Sequence, residues 1–272
     1  MPFFCTHSSR KGPLVDLQLK DKVAVVTGAS KGIGLATARA LVAEGVHVVA
    51  VARTTSPELT DLGDRVTAVP ADLTASDAAE RVADRAGAVD ILVNNLGGIM
   101  PGSMAGGFLT ADDTLWQQTF ELNLFSTVRV TRALLPGLLD RRGVVIMISS
   151  IGARAAFRPV DYGAAKAAMT NLAKALAEEF GPRGLRALTV SPGPTRTRNW
   201  ADPDGYAGEL ARNAGMSIDE FLAHVPERMG ITTGRLTEPA ETAALVTFLA
   251  SPLAGNITGV DYLADGGVIK TV

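Results

Sequence analysis

Short runs rich in valine and isoleucine alternate along this chain with longer stretches whose apolar residues recur every three or four positions. The valine-rich runs cover positions 23–26, 46–51, 66–69, 89–93, 144–148 and 188–190, with a last one near 260–263. Because most of them are continuously apolar rather than alternating, each predicted strand must be buried on both faces, as in a parallel sheet between two layers of helices. The pattern therefore predicts an α/β fold of three layers, with a doubly wound parallel sheet in the middle.

The length of 272 residues fits one such domain, because open α/β sheets often reach about 200–250 residues as a single unit. We assign residues 19–272 to the domain and residues 1–18 to a flexible N-terminal arm, which lacks the continuous apolar segment of a secretory signal. The least regular part of the chain is rich in proline, and residues 194–236 within it are predicted to form a lid over the substrate.

Composition removes several classes of function. Lys and Arg number 26 against 28 Asp and Glu, so the formal net charge of -2 gives no bulk attraction to nucleic acid. The single cysteine, Cys5, excludes an internal disulfide and favours a reducing, cytoplasmic location. The longest uncharged run, 91–111, contains Asn94, Asn95 and Pro101 and does not predict a membrane span. The three histidines are scattered, so no metal site is predicted.

Three helix starts carry a hydroxyl residue followed three positions later by a carboxylate, which resembles a capping box. The pairs are Thr74 with Asp77, Thr110 with Asp113, and Ser217 with Glu220. Each pair predicts that a helix begins directly after its hydroxyl residue.

A glycine-rich turn follows the first predicted strand. Gly28, Gly32 and Gly34 lie between that strand and a good helix former at 35–44. The first glycine permits a sharp turn, the second lets the backbone approach a ligand, and the third lets helix and strand pack, while the helix start offers free N–H groups to phosphate. The position in the first βα unit favours a dinucleotide site on a Rossmann-type fold, and the alternative is an ordinary strand-to-helix turn.

The end of the second predicted strand indicates which dinucleotide binds. An NAD site usually places an acidic residue about 20 residues past the glycines, where it holds the ribose 2′-hydroxyl. No carboxylate lies between Glu44 and Glu58, and Arg53 stands in that region instead. A guanidinium there can pair with a 2′-phosphate, together with Lys31 of the glycine turn. The sequence thus predicts NADP(H) in preference to NAD(H), unless Arg53 is a solvated loop residue.

A tyrosine and a lysine, Tyr162 and Lys166, lie four positions apart in a helical stretch. This spacing places them on one face of the helix, about one turn apart. An ammonium group beside a phenol stabilises the phenolate and lowers a pKa that starts near 10, so that the tyrosine can act as an acid or base closer to neutrality. Such a pair is common by chance and becomes informative only together with other motifs.

Other motifs accompany it. In chain order they are Thr27-Gly28-x3-Gly32-x-Gly34, Asp72-Leu73, Asn94-Asn95-x-Gly97, Asn123, Ser149, Tyr162-x3-Lys166 and Pro192-Gly193-x3-Thr197. With this set the sequence resembles the short-chain dehydrogenase/reductase family, in which the same pieces occur in the same order. The resemblance extends over most of the chain, from Lys22 to the sequence Asp265-Gly266-Gly267.

The resemblance implies four catalytic residues. Tyr162 would give a proton to a carbonyl oxygen during reduction, or take one from an alcohol during oxidation. Lys166 would lower the pKa of Tyr162 and hold the nicotinamide ribose. Ser149 would polarise the carbonyl, because it lies 13 residues before Tyr162, and Ser150 is the alternative. Asn123 would position a water beside the lysine and complete a proton relay.

For the cofactor, the resemblance implies that Asp72 hydrogen-bonds the adenine amino group and that Thr197 approaches the nicotinamide carboxamide. Asn94 and Gly97 would line the adenosine ribose, unless Asn94 and Asn95 only tie neighbouring strands together. The full set of expected cofactor residues is Gly28, Ser30, Lys31, Gly32, Ile33, Gly34, Arg53, Asp72, Leu73, Asn95, Gly97, Tyr162, Lys166, Pro192, Gly193, Thr195 and Thr197.

Together these expectations describe an NADP(H)-dependent oxidoreductase that interconverts a carbonyl and a secondary alcohol. Two alternatives stay open: a non-catalytic dinucleotide sensor on the same fold, and a dehydratase or epimerase relative that uses nicotinamide for other chemistry. The resemblance also implies a homotetramer or a homodimer. The identity of the substrate is not predicted. Apolar residues of the lid, which either close over a substrate or pack among helices, are Trp200, Tyr206, Met216, Phe221 and Leu222.

Overall fold

Seven parallel strands form one sheet in the order β3-β2-β1-β4-β5-β6-β7. The structure is a computed structural model that describes residues 15–103 and 107–271. The strands are β1 (Val23–Thr27), β2 (His47–Ala52), β3 (Val66–Pro70), β4 (Ile91–Asn94), β5 (Val144–Ile148), β6 (Arg186–Pro192) and β7 (Asp261–Ala264). Every predicted valine-rich run falls on one of these strands, with its ends displaced by two residues or fewer.

Helices cover both faces of the sheet. They are α1 (Gly32–Ala43), α2 (Pro57–Thr60), α3 (Ala78–Ala86), α4 (Asp113–Phe120), α5 (Ser126–Asp140), α6 (Val160–Phe180), α7 (Arg198–Ala201), α8 (Tyr206–Asn213), α9 (Ile218–Arg228) and α10 (Pro239–Ala250). A turn of π-helix, Glu121–Phe125, joins α4 to α5, and a 3-10 turn, Ile151–Ala153, follows β5. Helices α1 and α10 pack together on one face, and α3, α5 and α6 cover the other.

Successive residues of the central strands contribute to two separate cores. In β1, Ala24 and Val26 belong to the core shared with α1 and α10, whereas Val25 belongs to the core shared with α3, α5 and α6. In β5 the second core takes Val145 and Met147. Because side chains alternate along a strand, a sheet covered on both faces requires continuous apolar runs. The predicted single-domain, three-layer Rossmann-type fold is confirmed.

A buried carboxylate near the edge of the sheet holds the loop after β5 in place. The side chain of Asp261, on β7, is 3% exposed and accepts hydrogen bonds from Thr189 Oγ1 and Ser191 Oγ of β6, each at 2.7 Å. Arg154 Nε, from the segment between β5 and α6, donates to the same carboxylate at 2.6 Å. Because a charge-assisted bond to a desolvated group is strong, this pair fixes the path of the chain from β5 into α6.

Of the three predicted capping boxes, that of α9 is confirmed. Ser217 Oγ accepts from the Glu220 N–H at 3.3 Å, and Glu220 Oε2 accepts from the Ser217 N–H at 3.0 Å. The other two predictions are wrong. Helix α4 is capped by Asp112, whose Oδ1 accepts from the Leu115 N–H at 2.8 Å, and α3 begins only after Asp77. At α4 a carboxylate nearer the helix start takes the capping position from the threonine, whereas Asp77 stands at the N-cap of α3 without making a side-chain capping bond.

Most of the predicted arm lies outside the described residues, whereas the predicted lid lies within them. Residues 1–14 of the arm lie outside the described residues, and in the remainder Val15 is exposed while Leu17 packs against the core beneath α1. The predicted lid, residues 194–236, contains α7, α8 and α9 and packs in a small apolar core that it shares with Ile151 and Val268. Over residues 15–103 and 107–271 we find no helix that is both long and apolar enough to span a bilayer.

Candidate active site

A large cleft of about 1620 Å³ opens along the carboxyl ends of the strands. Residues that follow β1 to β6 line it in turn, namely Gly28, Arg53, Asp72, Asn95, Ser150 and Gly193. The cleft begins between β1 and β4, where the strand order reverses and where sheets of this kind bind ligands. It brings together all the expected site residues except Gly34, Asn94 and Asn123.

The turn after β1 is as tight as predicted. Gly28 has φ +66°, a conformation that residues other than glycine rarely adopt. A Cβ on Gly34 would overlap both the Gly28 carbonyl oxygen and Asn95 Nδ2. Position 34 therefore admits only glycine, because α1 lies against the end of β1 there.

Asn95 and Thr27 fasten this turn to the end of β4. Asn95 Nδ2 donates to the carbonyl oxygens of Thr27 and Gly28, at 2.9 and 3.2 Å. In return, Thr27 Oγ1 accepts from the backbone N–H groups of Asn95 and Leu96, at 3.0 and 2.9 Å. The two halves of the cleft are thus joined by side-chain hydrogen bonds at its centre.

Asn94 has a different position from the one expected. It is 1% exposed, and its Nδ2 donates to Thr131 Oγ1 on α5 at 2.9 Å. The expectation that Asn94 lines a ribose is wrong, because its side chain ties β4 to α5 and only Asn95 of the pair reaches the cleft.

The N-terminus of α1 is open toward the cleft. Its N-cap, Lys31, is extended and makes no side-chain capping bond, so no side chain covers the first N–H groups of the helix. Opposite them, Thr197 comes so near that a Cβ on Gly32 would lie 3.2 Å from Thr197 Cγ2. Ser30 and Ile33 line the same section. This gap fits the diphosphate of a dinucleotide, because helix N-termini bind anions.

The β6 side of the cleft is closely packed as well. A Cβ on Gly193 would lie 2.8 Å from the Cα of Asp265, and Thr195 Oγ1 donates to the Gly193 carbonyl oxygen at 2.9 Å. Pro192, at the end of β6, precedes this turn. These residues form the wall that leads to Thr197.

A carboxylate and a guanidinium stand at the β2 and β3 end of the cleft. Hydrogen bonds from the side chain and backbone of Thr74, at 2.7 and 3.0 Å, hold the pKa of Asp72 below its usual range, and the charge of Arg53 adds to this. Within the described residues Arg53 forms no ion pair. The side chain of Leu73 is in the core, and its carbonyl oxygen accepts from Arg129 Nη2 at 3.2 Å.

Tyr162 and Lys166 lie one turn apart on α6, as the spacing predicted. Lys166 Nζ is 5.7 Å from the centre of the Tyr162 ring and donates to the carbonyl oxygen of Ile148 at 2.8 Å. Burial lowers the pKa of Lys166 to about 7. Burial also raises the pKa of Tyr162 to about 12, although a hydrogen bond with Ser150 acts in the opposite direction.

The expected lowering of the Tyr162 pKa by Lys166 is wrong for the protein by itself. Lys166 is 2% exposed and Tyr162 is partly buried in the wall of the cleft, and desolvation disfavours the charged form of each group. Lys166 is therefore less protonated near neutral pH and stabilises the phenolate less than a fully charged ammonium would. The loss of hydration then has the largest effect on the pKa of Tyr162 and raises it. Tyr162 remains a protonated phenol over the ordinary pH range, which is the state of a proton donor.

The two serines after β5 point in opposite directions. Ser149 Oγ is hydrogen-bonded to the carbonyl oxygen of Lys166 at 3.1 Å and to Thr170 Oγ1 at 2.7 Å, so it faces into α6. Ser150 lines the cleft with Tyr162 and acts to lower the pKa of that phenol, and its Oγ accepts from the Gly152 N–H at 3.1 Å. The structure thus disagrees with the choice of Ser149 and places the hydroxyl of Ser150 beside the phenol.

The alternation of side chains along β5 explains why Ser149 faces α6 and Ser150 faces the cleft. This alternation could have been used in the sequence analysis, which relied on the distance along the chain to Tyr162 instead. The Ser149 N–H bonds to the carbonyl oxygen of Val190, which extends the pairing of β5 by one residue. Ser149 therefore continues the side of Val145 and Met147, which face α6.

Asn123 lies in the π-helical turn behind the cleft wall. Its Oδ1 accepts from the Gly98 N–H, and its Nδ2 donates to the carbonyl oxygens of Gly98 and Thr119, all at 2.9 Å. A Cβ on Gly97 would lie 2.7 Å from Asn123 Oδ1 and 2.8 Å from Lys166 Nζ. Asn123 thus reaches Lys166 through the backbone of Gly97 and Gly98 rather than by a direct bond.

The lid residues divide between the cleft and the core. Trp200 and Tyr206 line the cleft, whereas Met216, Phe221 and Leu222 belong only to the apolar core of the lid. In the described part of the chain, no three His, Cys, Asp or Glu side chains come together as metal ligands would.

A cleft that can seat a diphosphate on α1 and that holds a phenol against a buried amine at its other end defines a nicotinamide-dependent oxidoreductase. Comparison with known proteins identifies which kind. The chain belongs to the short-chain dehydrogenase/reductase family, NAD(P)-dependent enzymes that act on CH–OH and C=O groups.

Three comparisons carry this assignment. A family model described as enoyl-(acyl carrier protein) reductase matches residues 28–269. The 3-oxoacyl-(acyl-carrier-protein) reductase of Vibrio cholerae is 35% identical over 268 residues, which cover 93% of this chain and 99% of that protein. L-sorbose reductase of Gluconobacter frateurii, solved with NADPH and L-sorbose, is similar with a TM-score of 0.85 and 32% identity, covering 95% of this chain and 100% of that one.

A further solved structure shows the same likeness. The NADPH-bound short chain oxidoreductase of Pseudomonas aeruginosa PAO1 gives a TM-score of 0.80 at 30% identity, covering 93% of this chain and 100% of that one.

Replacement of Lys166 by methionine tests the buried amine through protein stability. The pKa of Lys166 falls from 10.5 to about 7 on burial, so between these values the unfolded chain binds more protons and the wild type gains stability as pH rises. Methionine cannot titrate. We measure the free energy of unfolding of Lys166→Met and of the wild type by urea denaturation and take the difference, variant minus wild type, at each pH. We expect this difference to be more favourable to the variant at pH 6 than at pH 9, by on the order of 2 kcal/mol.

The matched control is Lys174→Met on the exposed face of the same helix. It removes the same charge from solvent instead of from the interior, and its effect should differ little between the two pH values. An equal pH dependence in both variants would show that the amine of Lys166 is not desolvated.

Proposed function

We propose that the protein reduces a ketone or aldehyde with NADPH and oxidises the corresponding alcohol with NADP. The observation that carries the proposal is one continuous cleft, with Arg53 at one end, an open phosphate-binding turn on α1 near the middle, and Tyr162, Ser150 and Lys166 at the other end. Two relatives support it: the protein from V. cholerae is named a reductase of 3-oxoacyl groups, and that from G. frateurii was solved with NADPH and L-sorbose.

The proposed chemistry divides between the cofactor and the protein. Bound NADPH supplies the hydride that adds to the carbonyl carbon. Tyr162 Oη gives its proton to the carbonyl oxygen, on which negative charge develops, and Ser150 Oγ donates a hydrogen bond to the same oxygen. The raised pKa of Tyr162 keeps this proton in place until the substrate arrives.

Lys166 completes the proton transfer. A phenolate formed on Tyr162 favours the protonated form of the neighbouring amine, so the pKa of Lys166 rises from its value of about 7 as the reaction proceeds. The ammonium then stabilises the phenolate until the phenol recovers a proton. Asn123 acts as a positioning residue here, because its hydrogen bonds to Gly98 hold the backbone that lies against Lys166 Nζ.

NADPH rather than NADH is the proposed cofactor. Arg53 has no ion-pair partner in the described residues and stands at the end of β2, where a 2′-phosphate would lie. Lys31, at the N-cap of α1, lines the same end of the cleft. Asp72 is the acceptor proposed for the adenine amino group, because its second carboxylate oxygen is not used by Thr74.

Membership of an enzyme family favours catalysis over the alternative of a dinucleotide sensor. The expected cytoplasmic location and the assembly into a homodimer or homotetramer stay predictions.

The central test is Tyr162→Phe, which removes the proton donor and keeps the ring. We expect kcat for ketone reduction to fall by roughly 10²–10⁴-fold, while NADPH still binds, as measured by fluorescence titration. Normal turnover in this variant would refute the catalytic assignment. A wild type that binds NADPH fully but reduces no member of a broad ketone panel would support the sensor.

The serine assignment is tested by a matched pair of variants. Ser150→Ala removes the hydroxyl beside Tyr162 and should lower kcat by about 10²–10³-fold, as the loss of one donor to a developing oxyanion does. Ser149→Ala breaks hydrogen bonds to α6 and should lower stability while leaving kcat within a few-fold of the wild type. A larger loss of kcat in Ser149→Ala than in Ser150→Ala would instead support Ser149 as the residue that polarises the carbonyl.

The cofactor preference is tested by Arg53→Ala. Loss of a charge-assisted contact of about 1.5–3 kcal/mol should raise the Kd of NADPH by roughly 10–100-fold and leave that of NADH nearly unchanged. Isothermal titration measures both. The control is Arg85→Ala on the exposed face of α3, away from the cleft. Equal weakening of the two dinucleotides would exclude a contact with the 2′-phosphate.

A further inference from the structure

The lid begins with a corner in which two glycines leave no room for a side chain. A Cβ on Gly205 would lie 2.6 Å from the carbonyl oxygen of Arg198, and one on Gly208 would overlap the carbonyl oxygen of Pro203. Arg198 Nε also donates to Asp202 Oδ2 at 2.6 Å. This compact corner fixes the position at which α8 starts.

The first residue of α8 is Tyr206, and it faces the cleft. Its ring packs edge-on against Trp200, with centres 5.3 Å apart and planes at 67°. Both residues line the cleft together with Tyr162 and Ser150. The next residue, Ala207, packs into the core of the lid and anchors the helix from behind. The phenol of Tyr206 is therefore held in place before any ligand binds.

The hydroxyl of Tyr206 makes no side-chain hydrogen bond within the described residues, and the residue is only partly buried, so its hydroxyl is open to the cleft. Burial raises the pKa of Tyr206, so the group stays protonated and is a donor. Tyr206 lines the same cleft as Tyr162 and Ser150, so its phenol faces the space in which a substrate would bind. A protonated donor in the wall of this cleft is thus left for a ligand.

We propose that Tyr206 is a substrate-binding residue whose hydroxyl donates a hydrogen bond to a second oxygen of the substrate, close to the carbonyl that is reduced. The inference rests on the proposed function. Tyr162 and Ser150 are both directed at the reacting oxygen in that proposal, so a further donor needs a different acceptor. Substrates that satisfy it carry a second acceptor oxygen, and the simplest are hydroxy ketones with the hydroxyl on the first or second carbon from the carbonyl.

Pairs of matched substrates distinguish a hydrogen bond from Tyr206 to the substrate from an effect of Tyr206 on the reduction of every ketone. Hydroxyacetone and butanone differ by one hydroxyl in place of a methyl group, and diacetone alcohol and methyl neopentyl ketone differ in the same way one carbon further along. With NADPH, the wild type should prefer the hydroxy ketone of at least one pair in kcat/KM. Tyr206→Phe should reduce that preference by about two- to tenfold, mainly through KM, because one hydrogen bond is lost.

The control variant is Tyr262→Phe, which makes the same chemical change on β7, outside the lining of the cleft. It should leave the preference unchanged. If Tyr206→Phe slows both members of each pair equally, Tyr206 acts on Tyr162 and not on the substrate, and the proposal fails. It fails equally if the variant changes nothing.

The same comparison can be made without turnover. Ligand-observed NMR on the NADPH complex gives the Kd of each compound for the wild type and for Tyr206→Phe. Suppose that no ketone is reduced, but the wild type binds the hydroxy ketone more tightly than its matched ketone and Tyr206→Phe does not. The proposed function then fails, and the binding role of Tyr206 stands. If the paired compounds bind equally in the wild type, the binding site is refuted.

Discussion

The cleft depends on how closely α1 approaches the end of β1. At that point Gly34 lies against the carbonyl of Gly28, and the amide of Asn95 fills the remaining space with hydrogen bonds to the same turn. A larger residue at position 34 would push the helix away, carry its N–H groups out of reach of a phosphate, and break the link to β4. The phosphate-binding turn and the loop after β4 share this one contact, so neither is independent of it.

Burial links the fold to the chemistry at the other end. The helix that carries Tyr162 and Lys166 packs other residues into the second core, and this packing buries Lys166 and leaves Tyr162 partly buried in the wall of the cleft. The consequence is a phenol that keeps its proton and an amine that is nearly neutral. Each group becomes charged more easily once the other is charged, so proton movement between them and a substrate is coupled.

Features that depend on local rules could be predicted from the sequence, and features that depend on how strands and helices meet could not. Continuous apolar runs located every strand, and the glycine spacing located the turn at α1. The serine was misassigned because distance along the chain to Tyr162 does not tell on which side of β5 a side chain emerges. Asn94 was misjudged for the same reason, since it points to α5 while its neighbour reaches the cleft. The Tyr162 pKa depends on burial, which a spacing of four residues does not reveal.

The ion pair between Asp261 and Arg154 has a consequence for how the enzyme matures. All the residues placed in the catalytic machinery precede β7 along the chain, yet the segment that leads from β5 into α6 gains its ion pair only when Asp261 joins the sheet edge. During synthesis on the ribosome, the chain therefore holds every reactive group before it holds a finished pocket.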